Sequence, residues 1–150
     1  MENKYRSGFA AIIGRPNVGK STLMNRMIGE KIAITSDKPQ TTRSRIQCIL
    51  TREEYQIIFV DTPGLHKPKN RLGEYMVNAA MSTLSEVDVI IFVVDLAAGV
   101  GAGDKKIAEA LLDIDTPVIV AFNKADKLSK EEIEIQIAKF KEFYDFSDGL

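Results

Sequence analysis

Eight residues, Gly14-Arg15-Pro16-Asn17-Val18-Gly19-Lys20-Ser21, restrict this chain more than any other stretch. They match G-x-x-x-x-G-K-[ST], and their flanks are the kind that this pattern needs. Phe9-Ala10-Ala11-Ile12-Ile13 before them reads as a short buried strand. Ser21 to Ile28 after them reads as a helix with Leu23, Met24, Met27 and Ile28 on one face. A strand that turns through glycines into a helix leaves successive N–H groups pointing inward at the positive end of the helix dipole. That is a cradle for phosphate oxygens. Gly14, Arg15, Pro16, Asn17, Val18, Gly19, Lys20, Ser21 and Thr22 are therefore the expected phosphate-side contacts. Lys20 would reach the β- and γ-phosphates, and the Ser21 hydroxyl would ligate Mg²⁺. The competing reading, a chance Gly-rich turn with a solvated lysine, does not account for the strand and helix on either side.

Two later motifs bear on which nucleotide is bound. Ile57-Ile58-Phe59-Val60 is an apolar strand that ends in Asp61-Thr62-Pro63-Gly64, a D-x-x-G. An aspartate at the carboxyl end of a buried strand suits Mg²⁺ held through a water, and Gly64 can present its N–H to a γ-phosphate with no side chain in the way. Alone the motif is weak, because Asp-Thr-Pro-Gly is also an ordinary turn. Pro117 to Phe122 is another buried strand, and it runs into Asn123-Lys124-Ala125-Asp126, an N-K-x-D. A carboxylate only accepts hydrogen bonds, so Asp126 matches the two adjacent donors of guanine, N1–H and the N2 amino group. Adenine offers neither and would leave the charge unpaired. Asn123 and the Lys124 stem would brace the loop and cover the ring. By itself N-K-x-D divides evenly between this reading and a polar turn opening a helix. Its place as third motif, after a third apolar strand, points to guanine.

With these residues in hand, the chain resembles the G domain of the bacterial Era GTPase family. That family sits within the wider group of tRNA-modification and ribosome-assembly GTPases. The resemblance runs from Tyr5 to about Phe146. Beyond the three nucleotide motifs it rests on Gln40-Thr41-Thr42-Arg43, on Leu65-His66-Lys67-Pro68 after the D-x-x-G, and on Asn70 to Met76. It implies GTP and GDP as ligands, Mg²⁺ held by Ser21, Thr42 and Asp61, and Lys20, Thr42 and Gly64 as the catalytic set. It also implies a switch role in assembly of the small (30S) ribosomal subunit and in 16S rRNA maturation. The RNA contact would be made by a KH domain that follows the G domain in the family. A monomer is implied, in the cytoplasm, with the full-length protein peripheral at the cell membrane.

Periodicity gives an alternation of strands and helices, hence an α/β fold with a mostly parallel sheet covered on both faces. Strands are expected near 8–13, 46–51, 55–61, 87–94 and 117–122, and helices near 19–28, 71–84, 103–113 and 129–143. The fold class is the P-loop NTPase three-layer α/β/α sandwich. Residues 30–45 are polar and aperiodic. The resemblance makes them the first switch, with Thr42 (or its neighbour Thr41) closing onto Mg²⁺; the plain alternative is a solvated connection. Residues 62 to about 76 would be the second switch. The sequence stops after the fourth expected helix, where the family continues with a sixth strand, a base-contacting loop, a closing helix and the KH domain. Residues 1–150 are thus expected to be one G domain, incomplete at its C-terminus.

Composition suits this picture. At 150 residues, 45% hydrophobic and 27% charged, the chain matches a single domain with one core. A net charge of −1 supplies no electrostatic footprint for nucleic acid, so these residues carry no RNA-binding signal. The single Cys48 excludes an internal disulfide and is expected to pack as a small apolar residue in a strand. Apolar runs such as Val89 to Val94 are strand length, and no signal peptide or anchor is visible. His66, the lone histidine, lies in a polar Lys- and Pro-containing stretch and reads as a solvated loop residue rather than a general base.

The implied chemistry is in-line attack of water on the γ-phosphate, with Lys20 and Mg²⁺ spreading the developing charge. Many GTPases orient that water with a glutamine directly after the D-x-x-G glycine. Here that residue is Leu65, which has no hydrogen-bonding group, so slow intrinsic turnover is expected. Two classes stay open: a GTP-hydrolysing switch, and a guanine-nucleotide-binding fragment without significant hydrolysis. A P-loop kinase or ATPase is disfavoured by N-K-x-D. Asn17 has two readings of similar weight: a side-chain carbonyl ligand for K⁺, as in relatives with this pairing, or a residue that tolerates the loop's backbone angles.

Overall fold

The computed structural model of the chain describes residues 4–15, 18–29, 46–60, 81–142 and 144. Its elements are β1 (Arg6–Ile13), α1 (Lys20–Ile28), β2 (Ile46–Thr51), β3 (Tyr55–Val60), α2 (81–86), β4 (Val89–Asp95), α3 (Ala102–Leu111), β5 (Val118–Asn123) and α4 (Lys130–Lys141). The five strands form one sheet in the order β2-β3-β1-β4-β5. β1 lies in the middle and pairs in parallel with β3 on one side and β4 on the other, and β4 pairs in parallel with β5. Among the described strands only β2 runs antiparallel, as a hairpin with β3, and its first residue Ile46 is the register partner of Val60.

The pleat sorts side chains onto two faces, and the helices follow. Ala10, Ile12, Cys48, Leu50, Phe59 and Val93 pack with Met24 and Ile28 of α1 on one face. Ala11, Ile13, Val60, Ile90, Phe92 and Val94 pack on the other with Leu84 of α2, Ile107, Ala108 and Leu111 of α3, and Phe140 of α4. Helices on both faces give three layers, as the strand-helix alternation implies. Phe140 is fully buried and meets Phe92 and Phe122 edge-on, with ring centroids 5.5 and 5.6 Å apart, which pins α4 against β4 and β5.

Local signals explain most boundaries. Ser129 caps α4: its hydroxyl accepts from the Glu132 N–H, and the Glu132 carboxylate accepts from the Ser129 N–H. α1 ends at Gly29, which takes a left-handed φ of 77° and bonds back to the Asn25 carbonyl. β4 begins two residues later than periodicity suggests. Just before it, the Asp88 N–H donates to the Phe9 carbonyl at 2.9 Å, while the Phe9 N–H goes to the Asp88 carboxylate at 2.7 Å rather than to a backbone carbonyl. Cys48 is buried in β2 as expected, and burial pushes its thiol pKa up. Among the described residues β5 pairs only with β4, and its Ile119 is 38% exposed.

Candidate nucleotide site

The parallel strands β1, β3, β4 and β5 all finish at one edge of the sheet, at Ile13, Val60, Asp95 and Asn123. There β1 leads into α1 on one face of the sheet while its neighbour β4 leads into α3 on the other, and such a divergence is where open α/β sheets bind ligands. Gly14 leaves β1 and passes directly over β4. A Cβ on it would lie 2.6 Å from the Val93 carbonyl oxygen, so no larger residue fits. Gly19, with φ 97°, turns the loop into α1 and occupies the helix N-cap without a side-chain acceptor for the first-turn amides. The first turn carries no acidic residue either. These N–H groups at the positive helix end suit an anion.

Lys20 opens α1 and folds back so that Nζ donates to the Gly14 carbonyl at 2.9 Å. The ammonium therefore lies over the loop mouth. Ser21 and Thr22 follow on the exposed side of the first turn, while Val18 is buried beneath the loop among the α1-side apolar residues. A hydroxyl beside a phosphate cradle is a hard oxygen donor of the kind Mg²⁺ takes.

The end of β5 meets the same loop. Asn123 Nδ2 donates to the Val18 carbonyl at 2.8 Å, joining segments 105 residues apart. A Cβ on Gly19 would collide with that amide nitrogen. Lys124 adopts a left-handed φ of 61°, and its Nζ pairs with Asp95 Oδ2 at 2.8 Å. Asp95 sits beside Asn123 in the β4–β5 register, and its Oδ1 accepts from the Ala98 N–H at 3.0 Å. Burial alone would raise the Asp95 pKa. The Lys124 hydrogen bond and charge, with the Ala98 and Ala97 amides, outweigh it and hold the carboxyl below its ordinary value. Asp126, in the short 3₁₀ turn Ala125–Lys127, is exposed and open to a ligand.

Arg15 takes a different direction from its neighbours. Its Nε donates to Asp104 Oδ1 at 3.1 Å and its Nη2 to the Gly99 carbonyl at 3.0 Å. Asp104 is fully buried in the first turn of α3, and its Oδ2 accepts from the Gly101 N–H at 3.0 Å. Burial raises the Asp104 pKa, with the Gly101 amide and Arg15 acting against that rise. Between these residues, the Val100 N–H donates to Gln136 Oε1 of α4 at 2.9 Å.

The structure thus brings Gly14, Arg15, Val18, Gly19, Lys20, Ser21, Thr22, Asn123, Lys124 and Asp126 to one edge. Pro16, Asn17, Thr41, Thr42, Asp61, Thr62, Pro63, Gly64, Leu65 and His66 lie outside the described residues, as do both expected switch segments and the earlier part of the helix expected at 71–84. Two residues escaped the sequence reading. Asp95 was findable by the rule used for Asp61 and Asn123, a polar residue closing an apolar strand. Asp104 was findable as a charge on the apolar stripe Asp104, Ile107, Ala108, Leu111.

Comparison with known proteins agrees with this geometry. Residues 9–124 match the family model described as 50S ribosome-binding GTPase. GTPase Era of Alkaliphilus oremlandii is 60% identical over 129 residues, covering 86% of this chain and 44% of that protein. A crystal structure of a variant Aquifex aeolicus Era bound to GDP·AlF4⁻ is 40% identical with a TM-score of 0.70, over 91% of this chain and 47% of the other. A crystal structure of Era with MgGDPNP and nucleotides 1506–1542 of 16S rRNA is also 40% identical, with a TM-score of 0.72, over 92% and 47%. The chain spans about half the length of the curated relatives it matches. With a phosphate loop at the end of β1, an N-K-x-D at the end of β5 bonded to it, and a family model matching 9–124, the chain belongs to the 50S ribosome-binding GTPase family and carries a G domain similar to that of the Era GTPases.

Proposed function

We propose that the chain binds GTP, hydrolyses it to GDP and phosphate, and forms the switch half of a protein acting on the small ribosomal subunit. The observation that carries the nucleotide reading is the Asn123–Val18 bond, which links the phosphate loop to the base-reading turn. One ligand with a guanine at one end and phosphates at the other spans both. On triphosphate binding Lys20 would exchange the Gly14 carbonyl for β- and γ-phosphate oxygens, and Asp126 would accept from the guanine edge. Ser21, with Asp61 and Thr42, has the oxygen donors to hold Mg²⁺, which would neutralise phosphate charge. Leu65 cannot orient water, so turnover of the chain alone is slow.

The ribosomal part of the proposal draws on the Era complex with MgGDPNP and 16S rRNA nucleotides, and on the net charge of −1, which favours RNA contact by another part of the protein. A role there implies the cytoplasm. K⁺ held by the Asn17 carbonyl would supply the positive charge that other GTPases take from an arginine. The test is turnover of GTP and ATP by the purified chain and by Lys20→Ala. Phosphate release from GTP alone, abolished by the substitution, is expected. Equal use of ATP, or normal turnover by Lys20→Ala, would defeat the proposal.

A further inference from the structure

Arg15 belongs to the phosphate loop by sequence, yet its side chain is spent on α3. We propose that Arg15 and Asp104 are positioning residues: the buried carboxylate at the start of α3 clamps Arg15 and thereby holds the Gly14–Arg15 peptide, and the Lys20 ammonium bonded to it, in place before nucleotide arrives. The inference rests on the guanine-nucleotide reading above.

Three observations carry it. The Asp104 carboxylate has no solvent exposure, and both oxygens are engaged, one by Arg15 and one by the N-cap amide of its own helix. A carboxylate that deep is costly to ionise without a partner, so the arginine is held firmly. The anchor is itself rigid, since Ile107, Ala108 and Leu111 fix α3 in the core. The seat is also shaped for this side chain. A Cβ on Gly103 would lie 2.6 Å from Arg15 Cδ and 3.1 Å from Cγ, so the arginine stem lies against bare helix backbone.

The clamp acts on the chemistry through one peptide bond. The Gly14 carbonyl that accepts the Lys20 ammonium is joined to the Arg15 nitrogen. Fixing Arg15 fixes the plane of that peptide, and with it the resting place of Lys20. The guanidinium has two acceptors in different directions, Asp104 Oδ1 and the Gly99 carbonyl. A lysine ammonium has no planar fork to reach both in this geometry. Loss of the clamp leaves the nucleotide to order the loop itself, which weakens binding.

The experiment measures dissociation of mant-GDP with Mg²⁺ from the wild type, Arg15→Ala, Arg15→Lys, Asp104→Asn and the Arg15→Ala/Asp104→Asn double variant. All are assayed well below the midpoints of their circular-dichroism melts. Arg15→Ala should release mant-GDP about five- to thirtyfold faster. Arg15→Lys should fall between it and the wild type, and the double variant should be no worse than the poorer single one. A purely structural ion pair would lower the melting midpoints and leave release rates unchanged. Release within twofold of wild type in the folded Arg15 variants, or additive effects in the double variant, overturns the inference alone. Failure of the wild type to bind mant-GDP overturns the nucleotide reading and the clamp with it.

Discussion

Asn123→Ala tests whether the phosphate loop and the base-reading turn are preassembled. The substitution deletes the 2.8 Å bond from Nδ2 to the Val18 carbonyl. A neutral hydrogen bond is worth about 1 kcal/mol net, and a half-buried carbonyl left without its donor brings the cost to about 1–2 kcal/mol. If the bond holds two segments that one ligand must bridge, GDP has to restore that order on binding. Affinity should then fall by up to the same amount, about five- to thirtyfold. A second substitution separates this from general damage. Gly19→Ala suffers twice, from its left-handed φ of 97° and from the collision with the Asn123 amide. Removing the amide relieves the collision and leaves only the backbone strain of about 1–2 kcal/mol. Gly19→Ala should therefore cost less in the Asn123→Ala background than in the wild type. Urea unfolding and mant-GDP titration of the four proteins give both quantities. Additive stability losses, with GDP affinity unchanged in Asn123→Ala, would falsify this reasoning.

Other outcomes follow from the same geometry. Asp126→Asn should weaken GDP and improve xanthosine diphosphate, because the altered base offers an acceptor where guanine has a donor; unchanged preference in a competition titration would remove Asp126 from base recognition. Asp95 has a carboxyl held below its ordinary value of 3.8, so its stabilisation is full above the unfolded pKa and is lost as pH falls through the folded one. Asp95→Asn should accordingly be less stable than the wild type at neutral pH and converge with it as pH falls through the lowered carboxyl pKa, and a gap in melting midpoint that is constant with pH would show that the ion pair adds nothing to stability. Phe140→Ala should cost about 3–5 kcal/mol by emptying the aromatic cluster against β4 and β5, measured by urea unfolding; a loss below about 1 kcal/mol would mean that α4 is not anchored there. Replacing K⁺ by Na⁺ at fixed ionic strength should slow GTP turnover if Asn17 binds the ion, and a K⁺ effect that survives Asn17→Ala would exclude that role.

The four parallel strands were legible because each is an apolar run stopped by a polar or glycine residue at the same end of the sheet, and the order of these stops is the order of the site. The helices were legible where an apolar stripe met a cap, as at Ser129. Less legible were the contacts that join elements. Nothing local to Arg15 says that its guanidinium seeks α3 rather than a phosphate. The partner is 89 residues away, and its seat is made by glycines whose role is to have no side chain. The Asn123 amide shows the same limit: its motif predicts a turn near a base, and only the tertiary fold shows that it ties down the Val18 carbonyl. Periodicity also misplaced the start of β4, where the Phe9 N–H is taken by the Asp88 carboxylate rather than by a backbone carbonyl.

The reversed direction of β2 has a consequence of its own. Were β2 parallel to its neighbours, the chain would enter it at the far end of the sheet, a strand's length from the phosphate loop. Running antiparallel, it begins where β3 finishes, and Ile46 and Val60 share one register position. The inbound and outbound threads of the hairpin therefore pass through a single corner, beside the end of β1. Both ends of the hairpin thus reach the phosphate-loop side of the sheet without a crossover connection, which a parallel β2 would have required.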